Sequence, residues 1–212
     1  YPNVDFRAKD IEEKNGFTSF TVEFYGASQR VTVPTVGIHN VYDALAAFAV
    51  GYEMRMEPQK IAAGLKSFVP SGMRQRIKKV GGITVIEDCY NASPDSQKAA
   101  LDVLSSFKSN RRIAVLGDML ELGKYSDISH ENVGKYTENK NIDILFTYGE
   151  KAKHIAEGAK GFVDEIKSFD DKTELVKALL ETLKDGDAVL FKASRGMKLE
   201  DVINSLYREW EE

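Results

Sequence analysis

The chain has 212 residues, 42% hydrophobic and 29% charged, and its 29 Lys and Arg against 33 Asp and Glu give a net charge of −4. No apolar run reaches the roughly 18 residues a membrane span needs, no charged-then-apolar leader opens the sequence, and one cysteine with three scattered histidines makes neither an internal disulfide nor a zinc cluster. The acidic balance argues against a general nucleic-acid surface, leaving a cytoplasmic globular protein of one large domain or two small ones. The first residue is Tyr1 rather than methionine, which reads as a processed or truncated piece.

In chain order, Thr18–Tyr25 alternates with Phe20, Val22 and Phe24 on one face, the period of a half-buried strand. Gly26–Gln29 reads as a turn, and Val31 and Val33 resume the alternation, which predicts a hairpin. Val41, Leu45, Phe48 and Tyr52 then recur at helical spacing in an alanine-rich run. Pro58 suits the first turn of a second, shorter helix with Ile61, Leu65 and Phe68 turned inward. Pro70 and Gly72 break the pattern, so a linker is expected at about 70–80, with domains over 1–77 and 78–212 and a natural hinge between them. Beyond it, strands are predicted at Thr84–Asp88, Arg112–Gly117, Asp143–Tyr148, Gly161–Ile166 and Ala188–Lys192. Helices are predicted at Pro94–Phe107 behind a Ser93 cap, at Asp171–Leu183 with a capping-box spacing to Glu174, and at Met197–Trp210. The alternation predicts an α/β fold, an open and mostly parallel sheet with helices on both faces.

Ligands of such sheets sit beyond the carboxyl ends of the strands. After the first of these strands comes EDCYNASP, where Asp88 can accept hydrogen bonds from a ribose diol and Asn91 sits in the turn. The Ser93–Pro94 helix start adds backbone N–H groups. A plain turn-shaping role for Asp88 and Asn91 stands beside that reading. The loop GDMLELG carries Asp118 and Glu121 and fits either an amine-recognising loop or a simple connector. KASRGMK, with its cations, Ser194 and Gly196, fits an anion site. Neither a GxGxxG fingerprint nor a GxxxxGK[ST] phosphate loop occurs, so if the chain uses ATP, the loop that grips its phosphates is expected outside it. Asn40 opens the alanine-rich helix either as a cap or as an amide reading an adenine edge, and Arg74 fits a phosphate clamp or an ordinary carboxylate pair. His130 and His154 fall in helical stretches and read as surface residues, and Cys89 as a small packed one.

The strings GIHNVYDALAA, SGMRQR, VIEDCYNASPDS, RIAVLGDMLELG and KASRGMKLE occur in this order, and together they resemble the Mur ligases from about residue 15 to the end. The resemblance implies ATP-dependent amide-bond formation in peptidoglycan precursor synthesis, through an acyl phosphate, with Mg²⁺ as a further cofactor. The motifs look most like those of members joining D-alanyl-D-alanine to UDP-N-acetylmuramoyl-tripeptide. Residues 1–77 would be the tail of a central ATPase domain and 78–212 a Rossmann-like C-terminal domain. By the same resemblance Asn40 would contact adenine, Arg74 a phosphate or ribose oxygen, Asp88 the ribose hydroxyls and Asn91 the nucleotide cleft. Ser194 and Arg195 would lie near the incoming dipeptide. The phosphate loop and magnesium ligands would lie upstream, leaving no catalytic or metal-binding residue in this piece, which alone would be inactive. Two positions depart from the family pattern: Asp43 stands where a second asparagine is frequent, and Ser93 replaces the asparagine of YNANP. A non-catalytic nucleotide- or partner-binding module, and a ligase for another amine, are the alternatives.

Overall fold

A computed structural model describes residues 4–14, 16–69 and 72–211; Tyr1 and Pro70, invoked above for the chain start and the linker, lie outside them. The chain divides into two compact units, Tyr1–Pro70 and Ser71–Glu212, each with its own hydrophobic core.

The first unit holds three antiparallel strands, β1 (Phe6–Lys14), β2 (Phe17–Phe24) and β3 (Ala27–Val33), and two helices, α1 (Ile38–Glu53) and α2 (Pro58–Lys66). Phe20, Val22, Phe24, Val31 and Val33 are buried on one sheet face against Val41, Phe48 and Ile61, as the alternation requires. The hairpin turn is tighter than expected. Phe24 pairs with Ala27, and the two intervening residues, Tyr25 and Gly26, take φ of 43° and 80°, the positive values that match the twist of flanking strands. Strand β1 has no counterpart among the predictions, because FRAKDIEEK is largely exposed and carries no apolar alternation; its register shifts between Lys9 and Glu12, where Asp10 has φ 52°. Helix α2 buries Ile61, whereas Phe68 lies past its end and is exposed.

The second unit is a six-stranded sheet in the order β4-β5-β9-β6-β7-β8. Its strands are β4 (Arg76–Val80), β5 (Ile83–Asp88), β6 (Arg112–Gly117), β7 (Ile144–Tyr148), β8 (Glu165–Phe169) and β9 (Ala188–Lys192). All neighbours are parallel except β4, which pairs antiparallel with β5. Strand β4 falls inside the expected linker, so the first unit ends earlier in the chain than residue 77. The strand expected at Gly161–Ile166 is displaced to Glu165–Phe169, a half-exposed edge strand whose polar EIKSF gives little signal.

Helices α3 (Pro94–Ser106), α4 (Ser126–Lys135), α5 (Lys153–Ala159), α6 (Lys172–Thr182) and α7 (Glu200–Glu211) cover the sheet. One face, with Val85, Val115, Phe146, Val189 and Phe191, packs on Leu175 and Leu179 of α6 and Val202, Ile203 and Leu206 of α7. By alternation Ile86, Leu116, Leu145 and Leu190, all fully buried, belong to the opposite face, where α3 meets β6 and β9 and α5 meets β7. Burying each such side chain contributes roughly 1.5–3 kcal/mol before chain entropy is subtracted. Glu87 is also buried and is tied in by the Tyr207 hydroxyl, which donates to it at 2.5 Å, and by the Lys78 ammonium at 3.1 Å. Helix α7 starts later than expected because Lys198 is left-handed (φ 49°) and ends a short turn over Arg195–Met197.

Candidate functional site

Strand β9 lies between β5 and β6, so the loops following these three strands emerge side by side at the carboxyl edge of the sheet. Asp88 ends β5 directly opposite Lys192 at the end of β9. The Lys192 ammonium donates to Asp88 Oδ2 at 2.7 Å and to the Asn91 carbonyl at 3.1 Å. Lys192 is therefore spent on a buried pair and is not a cation of the anion site read from KASRGMK. The other carboxylate oxygen, Asp88 Oδ1, meets the Gln75 N–H at 3.4 Å, a long contact. Asn91 is exposed, and its side-chain oxygen accepts the neighbouring Ala92 N–H at 2.9 Å, the turn-shaping use weighed above.

Ser93 caps α3: its hydroxyl accepts from Ser96 N–H, and the Ser96 hydroxyl accepts from Ser93 N–H. The cap occupies one N–H, and Pro94 has none, so this helix start offers an anion less than its sequence suggests.

Ser194 is 3% exposed. Its hydroxyl accepts from Leu120 N–H at 2.9 Å and reaches the Ala92 carbonyl at 3.4 Å, while its own N–H donates to the Asp118 carbonyl. It ties three strand-end loops together, so its hydroxyl is committed within the protein. Arg195 is exposed, as is Arg74. Both guanidiniums lie over the Tyr90 ring, at 4.0 Å for Arg74 and 5.2 Å for Arg195, so two cations and a half-open aromatic gather beside Asp88. Neither Tyr90 nor the Lys192–Asp88 pair was visible in the sequence as a functional feature. A lysine closing the otherwise apolar strand AVLFK was the available signal, but naming its partner requires the strand order.

The GDMLELG loop is built into the fold. Asp118 is buried and accepts the Ala152 N–H at 2.7 Å; a side chain at Gly149, which has φ 108°, would collide with that carboxylate. Glu121 is exposed. His130 is fully buried rather than on the surface: its Nε2 accepts the Met119 N–H at 2.9 Å, and Nδ1 faces the Ser126 carbonyl at 2.8 Å. His154 is partly exposed beside Asp127. Cys89 is buried, and burial pushes its thiol pKa up, as suits a packed residue. Burial holds the His130 imidazole below its ordinary value of 6.5. A histidine with a depressed folded pKa stabilises above the unfolded value and loses that contribution as pH falls toward the folded one. Urea midpoints of the chain are expected to drop between pH 7.5 and 5.5, and His130→Gln to flatten that drop. An equal pH dependence in both proteins would remove His130 as its source.

Asn40 belongs to the first unit. Helix α1 starts at Ile38 behind Gly37, so Asn40 is inside the first turn rather than at the cap, and its amide donates to the Val36 carbonyl at 2.7 Å. The candidate residues of the second unit, Arg74, Asp88, Asn91, Ser194 and Arg195, are thus gathered at adjoining strand ends. Among the described residues, no three His, Cys, Asp or Glu side chains gather as a metal site, and no helix is long and apolar enough to cross a membrane.

Comparison with known proteins bears directly on this cluster. The profile of the family described as Mur ligase, glutamate ligase domain, matches residues 73–195, a span holding every one of these second-unit residues. The UDP-N-acetylmuramoyl-tripeptide--D-alanyl-D-alanine ligase of Bacillus subtilis (strain 168) is 39% identical over 206 residues, covering 95% of this chain and 45% of that protein. Its namesake from Haemophilus influenzae is 35% identical over 209 residues, covering 95% and 44%. Among solved structures, MurF from Acinetobacter baumannii superposes with a TM-score of 0.87 at 27% identity, over 98% of this chain and 46% of that one. MurF from Thermotoga maritima in complex with ADP gives 0.84 at 25%, over 99% and 48%. The chain thus spans under half the length of these relatives. With its family profile spread across the strand-end cluster, the chain belongs to the Mur ligase family.

Proposed function

We propose that this chain is the carboxyl-terminal portion of a cytoplasmic, ATP-dependent ligase that adds D-alanyl-D-alanine to UDP-N-acetylmuramoyl-tripeptide. In this reading the first unit, Tyr1–Pro70, completes a central ATPase domain and the second, Ser71–Glu212, forms the C-terminal domain, a boundary a few residues earlier than the 77/78 expected from sequence. The observation that carries the reading is the gathering of Arg74, Asp88, Asn91 and Arg195 beyond β5 and β9, in a chain whose relatives bear that name. The donor set suits a nucleotide: Asp88 Oδ1 is the oxygen with the weaker partner and can take a ribose hydroxyl, and Arg74 brings a planar cation to a phosphate or ribose oxygen. Asn91 lines the nucleotide cleft and Asn40 contacts the adenine. Arg195 faces the carboxylate of the dipeptide, and Ser194 contributes by fixing the loops around it. ATP supplies the phosphoryl group that activates the tripeptide carboxylate as an acyl phosphate. Mg²⁺ belongs with the phosphates, and no residue of this chain is assigned to it.

The test is release of ADP by the full-length polypeptide carrying this chain. Release should require both UDP-N-acetylmuramoyl-tripeptide and D-alanyl-D-alanine, and the 212-residue chain alone should give none. Turnover with another amine in preference to the dipeptide would move the assignment to a different member of the family. Turnover by the isolated chain would refute the division of the active site.

A further inference from the structure

We propose that Lys192 is a positioning residue of the nucleotide site: its buried ammonium holds Asp88 and the Asn91 carbonyl in one arrangement and so fixes the carboxylate edge presented to the ribose. The inference rests on the assignment of Asp88 made above.

The geometry that carries it spans two strands distant in sequence. Asp88 and Lys192 are partners in the parallel ladder between β5 and β9, with side chains 12% and 3% exposed. The ammonium reaches Asp88 Oδ2 at 2.7 Å and the Asn91 carbonyl at 3.1 Å. One cation thereby joins the last residue of β5 to the turn three residues on. The rest of β9, Ala188–Phe191, is apolar and buried, so nothing within its own strand compensates the charge.

A buried ion pair is a poor source of net stability, since well-packed apolar residues of similar volume do as well or better. Its physical effect is on geometry. With Oδ2 drawn to Lys192, the carboxyl group cannot turn freely, and Oδ1, whose contact among the described residues is the long one to Gln75 N–H, becomes the acceptor for a ligand hydroxyl. This narrows the expectation for Asp88 from both ribose hydroxyls on equal terms to one favoured oxygen. Removing the cation would leave a buried carboxylate free to rotate and would release the Asn91 turn.

The experiment is a double-mutant cycle in the full-length ligase, reading KM for ATP, KM for D-alanyl-D-alanine and the unfolding midpoint. Lys192→Met is expected to raise the ATP KM about tenfold, the scale of a lost charge-assisted hydrogen bond, with the dipeptide KM unchanged. Asp88→Asn should raise the ATP KM similarly, and the Lys192→Met/Asp88→Asn double variant should be no worse than Asp88→Asn alone. If Lys192→Met does not fold, the double variant, which buries no unpaired charge, is compared with Asp88→Asn, and equal ATP KM values are expected. A full further loss on the Asp88→Asn background, or an equal rise in both KM values, would overturn the positioning role. An unchanged ATP KM in Asp88→Asn would instead remove the assignment of Asp88 itself.

Discussion

Arg74→Ala is expected to cut kcat/KM for ATP about a hundredfold in the full-length ligase, the upper range for one charged hydrogen-bonding group. The unfolding midpoint should hardly move. Arg74 is exposed and its guanidinium lies over the face of Tyr90 at 4.0 Å, a contact of about 0.5–1 kcal/mol at an open site. Its effect should therefore fall on the ligand rather than the fold. Arg195, at 5.2 Å from the same ring, provides the internal comparison, because Arg195→Ala should raise the dipeptide KM and spare the ATP KM. Steady-state kinetics with each substrate varied in turn separates the two. Indistinguishable profiles would mean that the two guanidiniums serve one anion, and an unaltered ATP KM in Arg74→Ala would exclude Arg74 from the nucleotide.

Gly134→Ala should be the most damaging single change to the second unit, costing about 3 kcal/mol as overpacking against an unyielding neighbour. Helices α4 and α5 cross with their backbones in contact. A Cβ at Gly134 would strike the Ile155 carbonyl oxygen, and one at Gly158 would strike the Glu131 carbonyl oxygen. Backbone oxygens inside helices cannot step aside as a flexible side chain can. The damage should spread to the loop after β6, because α4 carries His130, which holds Met119, and Ala152 just before α5 holds Asp118. Chemical denaturation of the chain measures the loss, with Gly158→Ala expected to match it. A midpoint within experimental error of the parent would show that the helices can separate without penalty.

Much of the architecture was legible because the residues carry a clear period. Phe20, Val22 and Phe24 alternate and are buried together, and Val85, Val115, Val189 and Phe191 sit in short apolar runs that become central strands. Ser93 and Asp171 both cap helices as their spacing suggested. The strands that escaped, β1 and β4, are largely polar segments at sheet edges; in β1 Phe6 and Ala8 pack on the core, but two positions are too short an alternation to mark a strand. Strand β8 was misplaced for the same reason. In the site, Asp88 and Arg195 were visible because they lie at or just past the ends of short, largely apolar runs. Their surroundings were not. The Lys192–Asp88 pair joins residues 104 apart in sequence, and Ser194 meets Leu120 across 74. Such contacts depend on β9 inserting between β5 and β6, which no local pattern encodes. His130 was misjudged as a surface residue because its neighbours Glu131 and Asn132 are polar, although its ring turns inward to satisfy a loop N–H.

If nucleotide is held at the strand ends of the second unit, as proposed, hydrogen exchange of the full-length ligase measured with and without ADP should register it there. Slowed exchange in residues 72–76 and 88–93, with little change in β8 and α6, is the predicted result. Protection confined to β8 and α6, or absent throughout residues 72–211, would contradict it.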